Sequence, residues 1–135
     1  MSPLYARLHL WAVTPHEWGF TDCYMTLVDW VRDETGHDAG EALRGSYGNP
    51  DLCPIARRLR ADPIPVADDL LAQIGLQRTD APLPGDVGII RHRGQRHLFG
   101  GLCLGENWAS KCESDGVLIA RPLEVVAAWS VDYAG

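Results

Sequence analysis

Apolar residues recur at helical spacing through the first half of the chain and collect into short runs in the second half. Leu4, Leu8 and Trp11 predict a first helix that ends before Pro15. Phe20, Tyr24, Leu27, Val28 and Val31 form one stripe of a second helix, and Cys23, Leu27 and Trp30 form an adjacent one. That helix should start at Thr21 or Asp22, whose short side-chain oxygens can accept the free N–H groups of a first turn. Gly36 should end it. A short turn or helix is expected over residues 38–43, then a loop over 45–50. A third helix over residues 51–59 would carry Pro54 near its first turn, where a missing N–H costs little. Val66, Leu70, Leu71 and Ile74 predict a fourth, closed by Gly75.

The pattern changes at the Pro- and Gly-rich junction over residues 79–86. Residues 87–91 and 98–104 read as two strands of an antiparallel hairpin, turning around Gly94. Gly100-Gly101 inside the second run marks a bulge or a close packing approach. Residues 107–111 and 116–120 predict two more strands around a turn at Glu113-Ser114-Asp115-Gly116. Residues 122–128 read as a brief helix and 129–133 as a final edge strand. Helices first and a meander of strands second imply an α+β fold in a single domain over residues 1–135.

The 135 residues include 46% hydrophobic and 22% charged side chains, which suits one core. No apolar run approaches the length of a membrane span, and residues 1–11 do not read as a secretory signal. The expected site of synthesis is therefore the cytoplasm. The net charge of −6 argues against nonspecific nucleic-acid binding. The basic run from Arg91 to His97 reads as a solvated turn, or as a contact for a phosphate or acidic partner.

None of the four cysteines, Cys23, Cys53, Cys103 and Cys112, forms a Cys-x-x-Cys pair, so neither a zinc ribbon nor a metal site is expected. Cys53 and Cys103 read as buried thiols and Cys112 as exposed. No cofactor is expected. Cys23 differs from the other three. It sits in the first turn of the second helix, where free N–H groups and a partial positive charge favour a thiolate. Asp22 beside it reads as a helix cap that could also polarise a cleft entrance. Trp18 and Trp108 are candidates to wall that cleft, or else core residues.

Trp18-Gly19-Phe20-Thr21-Asp22-Cys23 resembles the nucleophile motif of the NlpC group of cell-wall cysteine peptidases, which have a papain-like fold. Pro84-Gly85-Asp86-Val87 is similar to the segment that opens their first core strand. Phe99-Gly100-Gly101-Leu102-Cys103-Leu104-Gly105 resembles their His-Val-Gly-Ile-Tyr-Leu-Gly strand. Order and spacing fit over residues 18–116. Within the group the likeness is to short members encoded among tail genes of phages, prophages and gene-transfer agents. The resemblance implies N-terminal helices packed on a small antiparallel sheet, with Cys23 as nucleophile.

The resemblance also places Phe99 where those peptidases carry the catalytic His, and a phenyl ring cannot take a proton from Cys23. A helix terminus alone contributes about 0.3–1 kcal/mol, too little to make a stable ion pair. His97 is the nearest substitute, but two residues of strand displace it by roughly 6.6 Å, so it could act as base only if the alignment slips or the strand is bulged. His92 is expected across the hairpin. His16 precedes the motif closely enough to line the same cleft. Asn107 and Ser110 are candidates to orient an imidazole, or ordinary strand polarity.

Three functions remain open at this point. In the first, the domain is a component of a phage tail tip or hub, with degenerate catalysis, located in the virion tail and bound to hub or distal tail proteins. In the second, it is an active tail-associated peptidoglycan endopeptidase that uses Cys23. In the third, it is an unrelated thiol or redox enzyme, against which the lack of a nearby resolving cysteine counts.

Overall fold

A computed structural model of the chain describes residues 2–114 and 116–134. Among them are four helices, α1 (Pro3–Val13), α2 (Met25–Thr35), α3 (Pro54–Ala61) and α4 (Ile64–Gln73). Six strands follow: β1 (Gln77–Arg78), β2 (Val87–Arg91), β3 (Phe99–Cys103), β4 (Trp108–Lys111), β5 (Val117–Ala120) and β6 (Glu124–Ser130). The fold is α+β, as expected, with all strands antiparallel in one sheet of order β1-β6-β2-β3-β4-β5.

Local chemistry sets the helix ends. Ser2 Oγ accepts the Tyr5 N–H, and Pro3 occupies the first turn of α1. Gly36 ends α2 in the left-handed conformation that spares a Cβ clash. Pro54 begins α3, which starts and ends slightly later than its sequence pattern predicts.

The main core lies between the helices and one face of the sheet. Leu8 and Trp11 of α1, Trp30 and Val31 of α2 and Leu71 of α4 meet Val87, Ile89, Leu102 and Ala127 there. Each large side chain so buried contributes about 1.5–3 kcal/mol. On the opposite face Ile90, Cys103, Trp108 and Ala128 form a second cluster, with Phe99 packed against it. Gly88 and Gly101 lie beneath the Trp108 indole. A Cβ would come within 2.9 Å of that ring at Gly88 and 3.2 Å at Gly101.

The Pro84-Gly85-Asp86 segment joins the layers. Gly85 O accepts the Trp30 indole N–H at 2.9 Å. The buried Asp86 carboxylate accepts the Leu83 N–H at 2.8 Å and the Val131 N–H at 2.9 Å. That carboxylate thus fastens the end of the sheet to the entrance of β2.

Two expectations are corrected. Residues 122–128 are not a helix, and 129–133 are not an edge strand. Instead β6 is an interior strand, pairing with β2 from Val87↔Trp129 to Arg91↔Glu124 and with β1 through Arg78↔Trp129. Pro122 and the alanines favour a helix locally, but this position between two strands rewards β-branched Val125 and Val126 and small residues on both faces. Of the two readings of Gly100-Gly101, the close packing approach holds. The register shift lies between Ile89 and Ile90, where β2 pairs with β6. Asp115, in the turn expected between β4 and β5, lies outside the described residues.

Candidate functional site

The segment before α2 is held by one carboxylate. Asp22 is 1% exposed, and its Oδ1 accepts the N–H groups of Tyr24 and Met25 at 2.9 and 3.0 Å. Its Oδ2 accepts the Gly19 N–H at 2.7 Å and the Tyr47 hydroxyl. The Asp22 carbonyl accepts the Thr26 N–H, so Asp22 caps the first turn although the regular helix begins at Met25. Gly19 adopts φ +86°, and a Cβ there would lie 2.5 Å from the Tyr47 carbonyl oxygen. The Trp18–Cys23 motif is therefore a tightly fitted turn, with its Asp serving the backbone.

Cys23 follows in that first turn, at one end of a cleft of about 490 Å³. Trp18 lines the cleft as expected, its ring perpendicular to that of His16 with centroids 4.5 Å apart. Loop and helix residues Tyr47, Leu59 and Arg60 form one side. The β2–β3 turn contributes Arg96 and His97, and the β4–β5 region contributes Lys111, Cys112 and Glu113.

The surroundings of the Cys23 sulfur do not favour a thiolate. Burial pushes its pKa well above the ordinary thiol value, and the Asp22 carboxylate and Cys112 push it further. The Gly100 N–H donates to Sγ at 3.3 Å and opposes this only in part. Neither His92, whose Nε2 meets Ser110, nor His97, whose charged neighbours are Arg60 and Arg96, is hydrogen-bonded to the sulfur. Tyr24, whose hydroxyl donates to the Leu98 carbonyl at 3.3 Å, is also pushed up, by burial and then by Cys23 and Asp22.

Phe99 lines the cleft with Cys23, as expected, but its ring also packs away from the thiol. Its side chain packs against the cluster of Ile90 and Cys103, with its ring centroid 5.4 Å from that of His92. Strand alternation turns the next residue, Gly100, toward Cys23, where a Cβ would lie 2.6 Å from the Cys23 carbonyl oxygen. The strand thus offers Cys23 a backbone N–H and no side chain at its point of closest approach.

The other candidates divide. His16 and His97 both line the cleft. His97 is exposed, and its pKa is lowered by desolvation and then by the neighbouring Arg60 and Arg96. His92 is buried on the far face, its Nε2 3.0 Å from Ser110 Oγ, and burial lowers its pKa. Asn107 is exposed in the turn between β3 and β4, where its backbone oxygen accepts the Leu104 N–H, and it does not line the cleft. Trp108 is 2% exposed and belongs to the far-face cluster, so it is core and not a cleft wall.

Cys103 is buried, whereas Cys53 is only half buried at the start of α3. The N–H groups of Gly48, Ala56 and Ile55 and the charge of Arg57 lower the Cys53 thiol. Sequence reasoning missed Tyr47 and Lys111. Tyr47 lies in a loop without periodicity. Lys111 left a signal, because it shares the inward face of β4 with Ala109. Among the described residues, no group of three or more His, Cys, Asp or Glu is placed to hold a metal ion. No helix among them is long and apolar enough to cross a membrane.

The fold and cleft define an α+β domain with a cysteine in the first turn of its central helix. Residues 2–131 match the family described as Domain of unknown function (DUF6950), and the chain belongs to that family. No curated protein and no solved structure matches it.

Proposed function

We propose that this domain is a component of a phage or prophage tail, at the hub or tip, which uses an NlpC-like scaffold to bind a partner rather than to cleave one. The tail assignment is what the sequence resemblance implies. The observation that carries the loss of catalysis is the Cys23 thiol. It is half-buried beside the Asp22 carboxylate, accepts the Gly100 N–H and has its pKa raised, first by desolvation and then by that carboxylate. A nucleophilic thiol needs a base or cation at hydrogen-bond distance. The test is complementation of a tail lacking this protein. Cys23→Ala should restore assembly and infection, and purified domain should bind a hub or distal tail protein. Tails that assemble and infect normally without the protein would rule out the structural role.

One observation favours the second reading, an active peptidoglycan endopeptidase. His16 and His97 line the same cleft as Cys23, so a bound substrate could draw one of them to the sulfur. Digestion of muropeptides by the wild type, lost in Cys23→Ala, would establish it.

A further inference from the structure

The chain carries a net charge of −6, yet the described residues lining the Cys23 cleft carry more basic than acidic groups. Among the described residues, Arg60, Arg96 and Lys111 line it against one carboxylate, Glu113. Arg96 makes no ion pair among the described residues. Arg60 reaches only Asp51, at 3.8 Å, whose side chain is 79% exposed. Both guanidinium groups act on His97, which is what a local excess of positive potential produces.

Lys111 is the sharper observation. Its side chain is 1% exposed, and its Nζ donates to the Thr14 carbonyl at 2.6 Å. No carboxylate lies within ion-pair distance of it among the described residues. A buried amine without a counter-charge is costly, and one carbonyl leaves donor capacity unused. A carboxylate entering the cleft would supply what is missing. The remaining walls, Trp18, Tyr24, Leu59 and Phe99, are apolar or aromatic. The volume of about 490 Å³ suits a short peptide segment.

We propose that the cleft binds a carboxylate-bearing peptide, with its acidic group held by Arg60, Arg96 and Lys111 and its apolar body against Trp18 and Leu59. The global negative charge repels a polyanion such as nucleic acid but leaves a discrete anion free to enter. The inference is independent of the tail assignment and of whether Cys23 reacts.

The test is titration of the full chain, followed by NMR, with two probes. One is an acetylated Leu-Glu-Phe-Glu peptide with a free carboxyl terminus. The other is its uncharged counterpart, with Gln for Glu and an amidated terminus. The acidic peptide should shift the Trp18 indole and the Gly100 amide with a Kd of about 1 mM or tighter, and the neutral one should not. Arg60→Gln and Arg96→Gln, both at exposed or half-exposed positions, should each weaken binding at least about fivefold, a typical coupling between paired charges. Lys111→Met should abolish it, but the two arginine variants decide the matter if that protein fails to fold. The proposal is overturned if the two peptides bind alike, if neither binds, or if both arginine variants bind as the wild type does. Displacement by equimolar inorganic phosphate would also overturn it, because the site would then be a general anion site.

Discussion

The backbone N–H of Gly100 donates to the sulfur of Cys23 at 3.3 Å, so the strand facing the candidate nucleophile meets it with main chain alone. Desolvation, and then the Asp22 carboxylate, push the pKa of that thiol up. At Cys53 the balance is reversed, because three backbone N–H groups and Arg57 lower that thiol. Alkylation with iodoacetamide, followed cysteine by cysteine by mass spectrometry, should label Cys53 below the ordinary thiol pKa of about 8.5 and Cys23 only above it. Labelling of Cys23 near pH 6, abolished by His16→Ala or His97→Ala, would instead identify a working Cys–His pair.

Gly100→Ala should destabilise the fold by about 1–3 kcal/mol through overpacking. The new methyl would meet Cys23 O at 2.6 Å, Leu27 Cδ1 at 2.8 Å and Tyr24 Cδ1 at 3.0 Å. Gly94→Ala is the control. Nothing lies within 4 Å of its added Cβ, and only the φ of +75° resists it, at a cost of about 1 kcal/mol. Urea unfolding of both variants measures the difference. Equal midpoints would show that the β3–α2 contact is looser than described.

Asp22→Ala removes the acceptor of three N–H groups and the Tyr47 hydroxyl at once. The expected loss is about 3 kcal/mol or more, because the stranded donors stay buried. Tyr47→Phe removes only one donor and should cost about 1–2 kcal/mol. A double-mutant cycle in urea would show strong coupling between the two positions. Additive effects would mean that Tyr47 contributes through packing alone.

Stability should also fall in mild acid because of His92. Burial lowers its folded pKa, so between that value and the unfolded pKa of about 6.5 the unfolded chain binds a proton that the native one does not. The contribution is fully present above about pH 6.5 and is lost as pH falls toward the folded pKa. His92→Gln should flatten the slope of unfolding free energy against pH in this window, whatever it does to absolute stability. An unchanged slope would assign the acid sensitivity to other groups.

Much of this was legible in the sequence. Leu4, Leu8 and Trp11, the stripe through α2, and Gly36 and Gly75 are local signals, and local signals locate helices. The β2–β3 hairpin was legible because alternation and a turn residue agree there. β6 was not, because Ala127 and Ala128 favour helix until a strand on each side is available to pair with them. The same holds at the site. Cys23 and Asp22 are placed by one turn of chain and were found. Which face Phe99 takes depends on strand register against Ile90, and Lys111 meets Thr14 across 97 positions. Neither relationship exists within any short window of sequence.

The place of β6 has a consequence for how the chain is made. β1 has no strand beside it other than β6, and β6 also covers the open side of β2. The helices and the β2–β5 meander can form as they emerge, but both of these edges stay bare until the ribosome has passed residue 130. The final clasp, Val131 to Asp86, spans 45 positions. During that interval the nascent domain exposes unpaired strand edges, the surface most open to mispairing with a neighbouring chain.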